Sequence, residues 1–341
     1  MGKTLRIKCL IIALIFIIIS VSGVCVAFSF GENLLLSAFM YGSGSKDDPY
    51  KIYTSDQMMS LQEVSSSRVA RFYTEDKYFK LCNDVTLITT PTASSYGFYG
   101  YLDGNGNTLK IKDGALFYKI AQGATVSNLE IELDLKMYNT QYKYGIALKL
   151  DKGAIIQNCN IYGNIDIDLS GFYRWPWSDI RCYCAPFCIA NNGLISNCSF
   201  NGNITCYKPS SIIYRYVSGI AIQGEGIIEQ CKFMGNIDLD ANANMEIVAG
   251  LSTFNNILDS LFEGDIRITK SVDSREYQHA GLRTVIYGLG ASVQNSKFIG
   301  DIIFDRTYRP HTCYIANEES TYEFQGEIKR ILTDGSTEVL L

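Results

Sequence analysis

The sequence predicts an all-β chain wound into a solenoid, a parallel β-helix. Three observations lead there. The first is a recurring phrase: residues 193–204 read GLISNCSFNGNI, residues 153–165 read GAIIQNCNIYGNI, and residues 226–237 read GIIEQCKFMGNI. Weaker copies occupy residues 255–266 and 290–302, with a degenerate first copy at 123–133 and a worn last one at 324–328. The second is the period inside each copy. Apolar residues such as Ile195, Cys198, Phe200 and Ile204 follow a strand rhythm, and a glycine separates one short strand from the next. The third is the spacing of the copies. Gly163, Gly202, Gly235, Gly264, Gly300 and Gly326 lie 39, 33, 29, 36 and 26 residues apart, within the range of stacked repeat units.

A second short apolar stretch stands between copies, at residues 144–150, 188–191, 218–223, 248–253, 285–290 and 313–317. About three short strands per turn are therefore expected. Each unit has one apolar face that it cannot bury alone, so stacking at about 4.8 Å creates the core. Unequal repeat lengths imply loops that leave the stack at one corner.

The phrase Gly-x-Ile-x-Asn-Cys-x-Phe-x-Gly-x-Ile, with the interleaved Gly-Ile-Ala, resembles the GLUG-type repeat of exported bacterial right-handed parallel β-helix proteins. Residues 42–52, 78–85 and 100–109 are similar to the entry segment of that family. The resemblance covers roughly Tyr41 to Ile328. It implies a right-handed coil and export. It does not select an activity, because such rungs occur in adhesins, in stalks beside immunoglobulin-A peptidase modules and in carbohydrate-active enzymes.

The chain has 341 residues, 47% of them hydrophobic, and a formal net charge of −5, which suits one long solenoid with a real core. An acidic chain without a basic run is a poor nucleic-acid binder and offers no polybasic face to anionic lipid.

Taken in order, residues 1–30 form the export element. Lys3, Arg6 and Lys8 precede an apolar run, and residues 9–28 carry no charge. This reads either as a cleaved signal peptide or as a retained N-terminal membrane anchor helix. Residues 31–46 form a linker ending in Gly42-Ser43-Gly44-Ser45. Residues 47–80 form an N-terminal cap. There Thr54 and Gln57 make a capping box for a helix of about residues 55–68, which covers the open end of the coil. Residues 81–328 are the rungs. Residues 329–341 are a C-terminal tail expected to close as a hairpin.

Matching slots carry matching chemistry. Cys159, Cys198, Cys231, Ser260 and Ser296 share one slot and read as a ladder of small buried side chains. Asn158, Asn197, Gln230, Asp259 and Asn295 share a second. Asn164, Asn203, Asn236, Asp265, Asp301 and Glu327 share a third. Both polar slots read as side chains bonding along the axis. The sharper alternative is a carboxylate pair, Asp265 with Asp301, for glycoside chemistry.

The long insertion at residues 170–187 holds both tryptophans. Tyr173, Arg174, Trp175, Trp177 and Tyr183 are the candidate ligand contacts, because exposed aromatics stack on sugar rings or on partner proteins. Cys182, Cys184 and Cys188 lie close together there, and a loop disulfide is the expected pairing in an exported chain. No cofactor or metal is expected. With only His279 and His311 present, no His-Glu-x-x-His zinc motif exists, and no Gly-x-Ser-x-Gly elbow or phosphate loop occurs.

The function expected is a non-enzymatic surface or secreted module, adhesin-like or scaffolding. It would contact glycan or a surface protein through corner loops. The alternatives are a carbohydrate-active enzyme, lyase or hydrolase, and a plain structural stalk.

Overall fold

The computed structural model describes residues 40–341, apart from 90, 92, 113, 139–141, 169–179, 208–212, 241–244, 270–282, 306–310 and 333–335. Among the described residues strand predominates and two helices occur, so the class is all-β.

Three sheets run along the molecule, with thirteen, fifteen and six strands. One coil shows the order. Ile180–Cys184 lies in the third sheet, and Cys188–Asn191 and Leu194–Ser196 lie in the first. Ser199–Asn201 and Ile204–Tyr207 lie in the second, and Ile213–Ser218 opens the next coil. A coil thus has three walls but five short strands, where three strands were expected. The extra breaks are bends at Asn192–Gly193 and at Gly202, where a wall turns without changing sheet.

Pairing between coils is parallel and in the register of the repeated phrase. Phe200 pairs with Phe233, Phe233 with Phe262, Phe262 with Phe298 and Phe298 with Phe324. Four of these rings, from Phe200 to Phe298, stack at 5.2, 4.8 and 4.7 Å. Each such pair adds about 0.5–1.5 kcal/mol beyond its buried area. The inward residues form one continuous apolar cluster from Met40 to Ile328. Nothing local holds this column together; coils stack because each exposes an apolar face that its neighbour covers.

Glycine is required where coils come closest. Gly235 has φ +146°, and a Cβ there would lie 1.9 Å from the Gly202 carbonyl oxygen. A side chain would push the coils apart, so the glycine slot follows from axial packing.

The N-terminal end is covered by helix α1 (Ser55–Ser65), followed by the short α2 (Ala70–Thr74). Thr54 and Gln57 form the expected reciprocal cap, and Met58 and Leu61 enter the main core. The buried Gln62 Nε2 donates to the carbonyls of Ala115 and Leu116 at 2.6 and 3.1 Å. The helix ends at Ser65, three residues before the expected limit. The Ser66 N–H there closes onto the Gln62, Glu63 and Val64 carbonyls. Strands Tyr50–Ile52 and Tyr78–Leu81, in the same stretch, already pair in parallel in the first sheet.

At the other end Thr337–Val339 pairs antiparallel with Ile328–Ile331, the hairpin expected of the tail. Among the described residues no helix is long and apolar enough to cross a membrane. The apolar segment of residues 1–30 lies outside them.

Candidate functional site

The site is built at one corner of the coil. The connections of unequal length are residues 139–141, 169–179, 208–212, 241–244, 270–282 and 306–310. Each joins the end of a second-sheet strand to the start of a third-sheet strand. The largest length differences thus fall at one edge, and smaller ones occur within the first sheet, where residues 151–154 link two strands of one coil and residues 192–193 the matching strands of the next. The connections themselves lie outside the described residues, and the flanking strands fix where they leave.

Of the candidate contacts, Tyr173, Arg174, Trp175 and Trp177 lie in one of these connections and outside the described residues. Tyr183 is described. It stands in strand Ile180–Cys184, a stretch assigned from sequence to the loop. Cys182 and Cys184 point into the core, and Tyr183 takes the opposite face, as strand alternation requires. Its ring stacks between Tyr142 at 5.3 Å and Tyr216 at 4.8 Å. Tyr183 is 9% exposed, packed in a small outer cluster with Tyr144, Leu148, Ile189 and Ile222. This cluster fills the angle where the outer faces of the third and first sheets meet. Tyr142, at its rim, is 39% exposed. Burial pushes the Tyr144 phenol up, so its proton stays.

Sequence reasoning missed Tyr142 and Tyr216. A signal existed: Tyr142, Tyr183 and Tyr216 are 41 and 33 residues apart, close to the glycine intervals. Extending the repeat alignment past the connections would have found the column.

The acidic slot lies at the glycine bend of the second sheet. Each side-chain oxygen here accepts the main-chain N–H of the same slot one coil on. Asn164 accepts from Asn203 at 3.0 Å, Asn203 from Asn236 at 2.9 Å, and Asn236 from Asp265 at 2.9 Å. Asp265 accepts from Asp301 at 2.8 Å, and Asp301 from Glu327 at 2.9 Å. The second oxygens are also engaged: Asp265 Oδ2 with Arg267 at 2.5 Å, and Asp301 Oδ2 with Lys329 at 2.7 Å. Lys329, then the Glu327 N–H, hold the Asp301 carboxyl below its usual range. A general acid needs the opposite shift.

The asparagine slot forms a second ladder. Asn197 Nδ2 donates to Asn158 Oδ1 at 2.7 Å, and Asn158 Nδ2 to Asn128 Oδ1 at 3.2 Å. These residues also turn the chain: Asn128, Asn158, Asn197, Gln230, Asp259 and Asn295 all have φ between 48° and 55°. Asparagine tolerates this left-handed conformation better than most side chains.

The next slot explains why cysteine and serine interchange. The thiols of Cys159, Cys198 and Cys231 donate to the carbonyl two residues back at 3.2, 3.1 and 3.3 Å. The hydroxyls of Ser260 and Ser296 do the same at 2.7 and 2.9 Å. The slot needs a small buried donor inside the turn, beyond small size alone. The expected loop disulfide is absent: Cys182, Cys184 and Cys188 are free thiols, all buried. They belong to strands and face the interior instead of meeting in a loop. Among the described residues no group of three or more His, Cys, Asp or Glu side chains is placed to hold a metal.

Fold and ladders together define a parallel β-solenoid with one variable corner. No family model matches the chain. No curated protein matches it either. One solved structure, described as L. reuteri 53608 SRRP, is similar over 83% of this chain and 99% of its own, at 13% identity and a TM-score of 0.28.

Proposed function

We propose that the chain is an exported, non-enzymatic surface module, an adhesin-like or scaffolding β-helix that meets glycan or protein through its variable corner. One observation carries this reading. The slot that offers a carboxylate pair, Asp265 and Asp301, uses both oxygens of each residue in axial bonds and ion pairs. Carboxylates so engaged hold coils together, which favours a scaffold over a lyase or hydrolase. The corner at residues 139–141, 169–179 and 270–282 is where the repeat tolerates change, and in repeat proteins that face is commonly the binding face. We take the coil as right-handed, the sense of nearly all parallel crossovers. We take residues 1–30 as the leader or anchor, and the repeat as GLUG-type.

The test is a glycan-array assay of the chain, with a polysaccharide panel assayed for new reducing ends. We expect binding without turnover, weakened about tenfold or more by Trp175→Ala with Trp177→Ala. Turnover abolished by Asp265→Ala or Asp301→Ala would overturn the reading. Unchanged binding in the double tryptophan variant would move the contact off this loop.

A further inference from the structure

The interior of the coil is mostly aliphatic and aromatic, and one of the few charged side chains buried there is Arg215. Along the second sheet, Cys206 stacks in register with Ile167 and Leu239, and Ile268 and Phe304 continue the column. Facing it from the third sheet is Arg215, fully buried, with Cys182 one coil before it in register. The guanidinium Nη1 lies 3.7 Å from the Cys206 sulfur, and Nη2 donates to the Asp240 main-chain oxygen. Cys182 and Cys206 are themselves hydrogen-bonded across the corner between two walls. Burying a guanidinium costs several kcal/mol unless negative charge or strong acceptors compensate it. The assembly has the parts of a reactive thiol site: two interacting thiols and a guanidinium 3.7 Å from one of them.

We propose that Cys182 and Cys206 are a redox-reactive pair that a hydroperoxide converts to a disulfide inside the coil. The Cys206 sulfur is the attacking atom. The hydrogen bond from Cys182 and the charge of Arg215 outweigh burial and the opposing Asp240 charge and hold its thiol below the usual value, while Cys182, as donor, is pushed up. The Cys206 thiolate attacks a peroxide oxygen, so an S–O bond forms and the O–O bond breaks. The hydroxide released takes up the proton that Cys206 lost and becomes water. The Cys182 sulfur then attacks Cys206, and the S–S bond forms as S–O breaks. The Cys182 proton leaves with the displaced hydroxyl as a second water. The two sulfurs lose two electrons and one peroxide is reduced to two waters. Hydrogen peroxide is close to water in size, and the two cysteines stand in the strands that flank the variable corner, Cys206 one residue from the end of its strand, where local opening admits it.

The molecule carries its own control. Cys159, Cys198 and Cys231 are also buried, and the Cys198 thiol interacts with both neighbours, but all three thiols are bound to main-chain carbonyls. Burial, with its neighbours' thiols, pushes Cys198 up. The proposal therefore predicts selectivity between two sets of buried, interacting thiols, which burial alone does not.

The test takes the full reduced chain through a hydrogen peroxide time course. Free thiols are blocked under denaturing conditions, and linked peptides are mapped by mass. The expected result is a Cys182–Cys206 peptide lighter by about 2 Da, forming at least about tenfold faster than any link within Cys159, Cys198 and Cys231. Cys206→Ser should abolish that peptide, and Cys198→Ser should leave it. Both thiols still free once the partly exposed Cys82 is oxidised, or the ladder cysteines linking first, would overturn the proposal.

Discussion

The main-chain N–H of Asp301 donates to Oδ1 of Asp265, one coil earlier, at 2.8 Å. The bond joins two positions 36 residues apart through the slot that asparagine fills in earlier coils. What differs in the later coils is charge, and that charge is balanced by Arg267 and Lys329.

Asp301 therefore separates two contributions. Asp301→Asn keeps an acceptor for the Glu327 N–H but loses the ion pair with Lys329, and should cost about 0–1 kcal/mol. Asp301→Ala loses both and should cost about 1–3 kcal/mol. Because the folded carboxyl is held below its usual value, its stabilising share is full above the unfolded value of about 3.9 and disappears as pH falls through the folded one. Urea melts of wild type and Asp301→Asn at pH 7 and at acid pH measure this. A gap that widened on acidification would contradict the assignment.

Gly235 and Gly123 both have positive φ, at +146° and +83°, but only Gly235 is crowded. Gly235→Ala drives a Cβ into the Gly202 carbonyl and should cost about 3 kcal/mol or more. Gly123→Ala meets nothing within 4 Å and should cost about 1 kcal/mol, from conformation alone. Equal midpoints for the two variants in thermal unfolding would refute the close-approach argument.

Asn197 serves the turn and the amide ladder together, with φ 49° and a 2.7 Å bond to Asn158. Asn197→Gly relieves the turn and loses only an exposed amide bond, for less than about 1 kcal/mol. Asn197→Ala strains the turn as well, for about 1–2 kcal/mol. Chemical denaturation ranks them, and alanine proving the milder change would mean that the turn geometry is not what selects asparagine.

Sequence alone determined the stacked architecture, the register and the slots. Phe233 over Phe262, the Cys198 ladder, the Thr54–Gln57 cap and the closing hairpin all follow from short apolar strands that can be buried only by stacking. Two sheets were legible because their side chains answer to one local rule, with the same order of slots within every copy of the phrase. The third sheet was not. Its strands follow connections of varying length, so the column of Tyr142, Tyr183 and Tyr216 emerges only when the repeat alignment is carried past those connections, and the inward Lys143 and Arg215 break the apolar rhythm. Only the tertiary structure brought Cys182, Cys206 and Arg215 together, since their meeting depends on two walls converging across the coil. Contacts along the axis leave a periodic trace in sequence; contacts across the interior, made once, leave none.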